Sequence, residues 1–209
     1  MTRSAMKTVA AMLGRASSAS APKLLRGVTP RLSRHYHVPA RDMRFLIYDV
    51  HKFEDHYEAL RNSECDKETV DMVIEATTQL CEQELAPLWA NGDREGCTWV
   101  DGTTVTTPTG FKEAYDLFRD SGWQGLAFPE EFGGQGLPMS MALIQSEMTA
   151  TANWTFTMFP GLSKGAINTI IAHATDELKA TWLPPLISAE FTGTMYDVAP
   201  DRMTWRLTV

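Results

Sequence analysis

Apolar residues recur every three or four positions through most of the chain after residue 63, the period of helices that bury one face. Val70, Val73, Ile74, Thr77, Leu80, Cys81 and Leu85 keep that spacing up to Pro87. Ser63-x-x-Asp66 ahead of them resembles a capping box, so a helix is predicted over about 64–86. Phe111, Ala114, Tyr115 and Phe118 share one face of a second helix, with Thr109 placed to cap it and Gly122 placed to end it in the left-handed conformation. Pro138 suits the first turn of a third, with Met141, Ile144, Gln145 and Met148 on one side, and two more are predicted at about 162–174 and 176–188. The period changes in two places. Trp99-Val100 and Thr103 to Thr107 flank Asp101-Gly102, a favoured two-residue turn, and predict a small hairpin; Trp154 to Phe159 alternates large and small residues as a strand might. The fold class expected is mainly α, a helical bundle with one small β-hairpin.

Charge divides the chain. Met1 to Arg41 holds Arg3, Lys7, Arg15, Lys23, Arg26, Arg31, Arg34 and Arg41 but no acid, and Met6, Val9, Ala10 and Leu13 form a helical stripe. An Arg-rich, acid-free amphipathic start reads as a mitochondrial targeting presequence, 1–41, disordered before import into the matrix. A basic tail that binds nucleic acid or membrane is the blander alternative. Arg34-His35-Tyr36 resembles a matrix-protease site with the cut after Tyr36. Beyond residue 41 remain eleven basic and twenty-six acidic residues, a formal charge of −15 that repels DNA and RNA. No stretch supplies the roughly 20 apolar residues of a membrane span. About 170 residues suit one domain with a real core. Cys65, Cys81 and Cys97 are odd in number and widely spaced, so they read as reduced thiols rather than disulfides or a zinc site.

Three short patterns invite chemistry. Gly161-Leu162-Ser163-Lys164-Gly165 matches G-x-S-x-G, which would make Ser163 the nucleophile of a serine hydrolase. That reading needs a strand before it and an acid and a His after it, whereas the only downstream His, His173, belongs to the same predicted helix. His51 and His56 are five residues apart, about 140° around a helix, and cannot face one ion, so no metal is expected. Gly133-Gly134-Gln135-Gly136 follows acids rather than a hydrophobic strand, so it reads as a turn whose glycines let backbone pack closely, not as a phosphate cradle.

Several blocks resemble, in order, the N-terminal half of the acyl-CoA dehydrogenase family, in particular its long branch that includes 3-methylmercaptopropionyl-CoA dehydrogenases. They are Pro39 to Phe45, Gly92 to Cys97, Thr107 to Tyr115, Gly122 to Leu126, Pro129 to Pro138, Lys179-x-x-Trp182-Leu183-Pro184 and Gly193-Thr194-Met195. The resemblance divides the chain into an N-terminal extension segment (42–62), a helical domain (63–195) and a divergent tail (196–209). It implies α,β-dehydrogenation of an acyl-CoA to a 2-enoyl-CoA in fatty-acid or related metabolism. FAD is the implied cofactor, a glutamate removes the α-proton, and electrons leave through an electron-transfer flavoprotein. After Met195 the family's flavin-contacting Thr-Glu-Pro block is replaced by Tyr196 to Arg202. No catalytic residue is therefore carried over, and the chain alone is expected to hold no FAD and to be inactive.

What the resemblance does imply is one wall of the acyl tunnel, formed by the turn between the helices at 139–152 and 162–174: Phe156, Thr157, Phe159, Pro160 and Gly161. Trp154, Phe156 and Phe159 read equally well as core residues. The alternative function is a non-catalytic helical interaction module. A homo-oligomer is expected, because helices that normally pack on further domains expose apolar surface.

The charge boundary generates a direct expectation. Mass spectrometry of the steady-state protein should find an amino terminus near His37; an intact Met1 contradicts the presequence reading.

Overall fold

The computed structural model describes residues 36–60 and 65–194. The predicted presequence as far as His35, Ser63 of the predicted capping box and the tail from Met195 lie outside the described residues. Within the expected presequence, Tyr36 and Val38 are tied into the fold: the Tyr36 hydroxyl donates to Thr151 Oγ1 (2.9 Å), and Val38 is buried and donates its N–H to Glu82 Oε1 (2.9 Å).

Helix α1 (Ala40–Phe45) runs into a π-helical turn (Leu46–Val50), and α2 (Phe53–Ala59) follows. Met43, Ile47 and Tyr57 bury one side of this segment, and Arg44 Nε is bonded to Asp71 Oδ1 at 2.8 Å. Asp71 belongs to α3 (Lys67–Gln79), which continues through a π turn (Leu80–Leu85) and a 3-10 turn (Ala86–Leu88) into α4 (Trp89–Glu95). The predicted stripe from Val70 to Leu85 is the buried face. Its start is corrected by one turn: Asp66 is the cap, its carboxylate accepting the Thr69 N–H at 2.8 Å. Pro87 withholds the N–H that would continue the α ladder, which is where the geometry tightens to 3-10.

The hairpin is present, with β1 (Thr98–Trp99) antiparallel to β2 (Val105–Thr106) and Trp99 opposite Val105. The turn differs from prediction. Asp101 Oδ1 accepts both the Thr103 and Thr104 N–H groups at 3.0 Å, so Asp101 opens an Asx turn instead of occupying a central position. Helix α5 (Phe111–Asp120) starts from Gly110, not from a Thr109 cap. Gly110 has φ 89° and a Cβ there would meet Leu88 Cδ2 at 2.6 Å, while the Thr109 N–H is taken by Glu95 Oε2 at 2.7 Å. Gly122 (φ 75°) ends the helix as predicted, its N–H on the Arg119 carbonyl at 2.9 Å.

A loop from Gly122 to Pro138, with 3-10 turns at Trp123–Gly125 and Glu130–Phe132, leads to α6 (Met139–Ala152). The strand-like alternation at Trp154 to Phe159 forms no strand, and the turn expected before a helix at 162–174 is corrected. One helix, α7 (Trp154–His173), covers the whole stretch. Asn153 sets it up by accepting the Phe156 N–H on Oδ1 (3.0 Å) while its Nδ2 donates to the buried Leu85 carbonyl (3.0 Å). Helix α8 (Asp176–Ile187) is capped by Thr175.

Two apolar clusters result. Ile74, Leu85, Phe118, Trp123, Leu126, Leu137, Met141 and Phe156 belong to the larger; Phe128, Ile167, Leu183, Leu186 and Ile187 form the smaller. The loop feeds both. It folds on itself through N–H donation from Gly134 to Pro129 O, Gln135 to Gly125 O and Gly136 to Phe128 O, each 2.9 Å. A Cβ on Gly134 would lie 2.0 Å from the Phe128 carbonyl oxygen.

Two stability outcomes follow from this. Gly134→Ala should cost about 1–3 kcal/mol or more in urea unfolding, since backbone must move, whereas Gly102→Ala, with open space around it, should be nearly silent. Asp66→Ala should cost about 1 kcal/mol at neutral pH. The Thr69 N–H holds the Asp66 carboxyl below its ordinary value, so this stabilisation is present above the unfolded-state value and lost as pH falls through the folded one. Wild type and variant should therefore converge in acid, and a pH-independent difference would contradict the cap.

Candidate functional site

Five residues of α7 were expected to form one wall, and helix geometry divides them. At about 100° per residue, Phe159 and Gly161 stand about 200° apart, on opposite sides of α7. Phe156 and Phe159 turn toward α5. Phe156 is buried against Phe111, Tyr115 and Phe118, with ring centroids 6.4, 6.5 and 5.9 Å away. Phe159, 41% exposed, meets Phe111 edge-on at 6.5 Å. There Phe159 helps line a cleft of about 320 Å³ together with Val105, Thr107, Phe111, Lys112, Tyr115 and Thr192. Gly92 makes room for the Phe111 ring, since a Cβ would come within 2.7 Å of Cζ. The Tyr115 hydroxyl donates to the Ala189 carbonyl at 3.3 Å, and burial pushes its pKa up, so it stays a neutral donor. The cleft is thus an apolar slot with an ammonium, Lys112, on its rim; that ammonium is already paired with Asp116.

Thr157 and Gly161 lie on a different strip of α7, and Pro160, i+4 from Phe156 and i+3 from Thr157, is buried between the two. Thr157 Oγ1 donates to the Asn153 carbonyl at 3.0 Å. Gln124, buried in the loop, donates Nε2 to the Pro160 carbonyl at 3.3 Å, while its Oε1 has no partner among the described residues. Gly161 is exposed, with nothing within 4 Å of where a Cβ would stand. One turn further on the same strip comes Lys164, whose Nζ donates to Ser146 Oγ (2.7 Å) and Gln145 Oε1 (3.2 Å) of α6. Burial draws its pKa down to about 8. Sequence spacing assigns Phe111 and Tyr115 to a helix face only, and gives Lys112, Lys164 and Gln124 no site role. A signal for Lys164 was available, because it is the only Lys, Arg, Asp or Glu in the run from Trp154 to His173.

The serine-hydrolase reading of Ser163 is corrected by its surroundings. Ser163 is buried inside α7, with no strand-to-helix elbow before it, and Oγ accepts the Gly193 N–H at 3.0 Å. His173 sits ten residues on in the same helix. His51 and His56 also serve packing: both rings lie against Phe53, with centroids at 5.5 and 6.2 Å. Among the described residues no group of three His, Cys, Asp or Glu converges on a metal position. The buried Cys65 and Cys81 thiols are pushed up to about 12 by desolvation, the opposite of a metal-binding thiolate.

The glycine loop is built as a turn and not as a phosphate cradle. It spends its N–H groups internally, Gly133 on Glu130 O and the next three as above, and carries the carboxylates of Glu130 and Glu131. Ser163→Ala should leave the buried Gly193 N–H unpaired and destabilise the fold by about 1–3 kcal/mol. A fluorophosphonate probe should leave the native protein unlabelled; covalent labelling at Ser163 would contradict the buried placement.

The comparisons bear on this geometry. The profile described as "Acyl-CoA dehydrogenase, N-terminal domain" matches residues 67–190, from the first residue of α3 to just past α8. A 3-methylmercaptopropionyl-CoA dehydrogenase of Ruegeria pomeroyi is 36% identical over 167 residues, 79% of this chain and 28% of the relative. A butyryl-CoA dehydrogenase of Syntrophomonas wolfei is 28% identical over 172 residues, covering 77% of this chain and 27% of the relative. A mitochondrial isovaleryl-CoA dehydrogenase of Oryza sativa is 35% identical over 92 residues, 42% of this chain and 22% of the relative. The chain thus spans little more than a quarter of the length of the first two. With the mainly helical fold, the small hairpin and the packed glycine loop inside the matched region, the chain belongs to the acyl-CoA dehydrogenase family, through that family's N-terminal domain.

Proposed function

We propose that this chain serves the α,β-dehydrogenation of an acyl-CoA to a 2-enoyl-CoA, as the helical domain that shapes and dries one side of the acyl site. The observation that carries the reading is the profile match over residues 67–190, which includes the loop and all of α6, α7 and α8. On this reading FAD supplies the hydride acceptor on parts of the enzyme that the described residues do not provide. This chain's own contribution is steric and electrostatic. The aromatic side of α7 (Phe156, Phe159) and the strip opposite (Thr157, Gly161), with Pro160 buried between them, are two surfaces of different chemistry, either of which suits one wall against a chain of methylenes. Electron-transfer flavoprotein is the electron acceptor proposed for the intact enzyme. A mitochondrial matrix location is proposed from the acid-free basic segment Met1 to Arg41, and the rice relative bears a mitochondrial name.

Exposed apolar side chains favour a second reading. Leu143 of α6 and Trp154 and Met158 of α7 are 64, 63 and 43% exposed on neighbouring helices. A helical module that docks this surface on an intact dehydrogenase subunit, or on a second copy of itself, would cover them.

Two measurements check the proposal. The purified 209-residue chain should be colourless with and without added FAD, reduce no electron acceptor when given acyl-CoA, and form oligomers on size exclusion; stoichiometric FAD in a monodisperse monomer would contradict it. Octanoyl-CoA should shift the amide resonances of Thr157 and Gly161, which free CoA should leave in place. Unmoved resonances at millimolar ligand would contradict the acyl-site reading.

A further inference from the structure

Lys164 is an ammonium in the wrong place for a structural lysine. A long cationic side chain on a helix normally lays its methylenes on the surface and keeps its charge in water. Lys164 instead runs along α6, where Nζ is held by Ser146 Oγ at 2.7 Å and Gln145 Oε1 at 3.2 Å. Both acceptors are neutral, Gln145 is 1% exposed, and among the described residues Lys164 makes no ion pair. Burial lowers its pKa, and among the described residues no acid offsets that cost. Two of its three N–H donors are used and one is left, and the Ser146 hydroxyl, having accepted from Lys164, still has its own proton to give. A carboxylate bridging the two groups, which stand 2.7 Å apart, would take one proton from each.

The position of this pair along α7 says what the carboxylate belongs to. Lys164 stands at i+3 from Gly161, i+4 from Pro160 and i+7 from Thr157, on one strip of the helix, at the end of about 10 Å of axial rise from Thr157. Above Gly161 the strip is open to its backbone. We propose that Lys164, with Ser146, binds the terminal carboxylate of an acyl chain laid along Thr157 and Gly161, so that the site selects ω-carboxylated acyl groups over plain alkyl ones. The inference rests on the acyl-site reading above.

The test uses the 209-residue chain with its lysine ε-methylenes observed by NMR, titrated with octanoyl-CoA, with its ω-carboxyl counterpart suberoyl-CoA, and with free suberate. Suberoyl-CoA should shift the Lys164 resonance and bind about tenfold more tightly than octanoyl-CoA. Lys164→Met should abolish that preference and Lys164→Arg should retain part of it, with circular dichroism confirming that both are folded. Equal affinity of the unaltered protein for the two thioesters overturns the inference while leaving the acyl-site reading intact, and needs no variant to fold. Binding of neither thioester overturns both. A response to free suberate alone would identify a general anion site and also overturn the inference.

Discussion

The contact on which the rest of this fold depends is backbone against backbone, at Gly134 and the Phe128 carbonyl. Nothing larger than a hydrogen fits there, because a Cβ would stand 2.0 Å from that oxygen. The closeness lets the Gly122 to Pro138 loop fold back and satisfy its own polar groups: Gly125, Leu126, Phe128 and Pro129 carbonyls each accept an N–H from Gly134, Gln135, Gly136 or Leu137. A loop so satisfied can be packed between helices without stranding polar groups. It delivers Trp123, Leu126 and Leu137 to the larger apolar cluster and Phe128 to the smaller, and Gly125 lies against Ile187 of α8. The two clusters are coupled through it.

That coupling fixes α7 in turn. Gln124, carried by the loop, donates to the Pro160 carbonyl, and Asn153 ties the first turn of α7 to the end of the α3 segment through the Leu85 carbonyl. Pro160 lacks the N–H that would bond one turn back, so these side-chain contacts act where the helix ladder is incomplete. Held from both sides, α7 presents an aromatic face to the α5 cleft and, on the strip opposite, an open surface at Gly161 with Lys164 reaching α6. The proposed substrate-shaping role is a consequence of this division, because one continuous helix displays two surfaces where a turn would have displayed one.

Much of this was legible in the sequence. The stripe Val70 to Leu85, the faces of α5 and α6, the left-handed Gly122 and the close packing of Gly133 to Gly136 all follow from local spacing and local backbone preference. What was misread depended on partners far along the chain. Trp154 to Phe159 alternates like a strand and is followed by Pro160 and Gly161, yet Asn153 caps it into a helix by means of a contact 68 residues away. Thr109 looked like a cap because its competitor, Glu95, lies fourteen residues upstream. For the site, Phe159 was the one expected wall residue that lines the cleft. Lys164 stands in the sequence as the lone charge of its run, inside the G-x-S-x-G pattern, and the contacts that set it apart come from Gln145 and Ser146 on a neighbouring helix.

Hydrogen exchange resolved to single amides measures the central claim most directly. If the loop is the internal brace of the fold, the amides of Gly134, Gln135, Gly136 and Leu137 should exchange on the timescale of the α3 core amides of Val73 and Ile74, despite lying outside any long helix. Exchange as fast as that of the exposed hairpin turn at Val100 to Thr104 would show that the loop opens independently of the core, and would contradict the account.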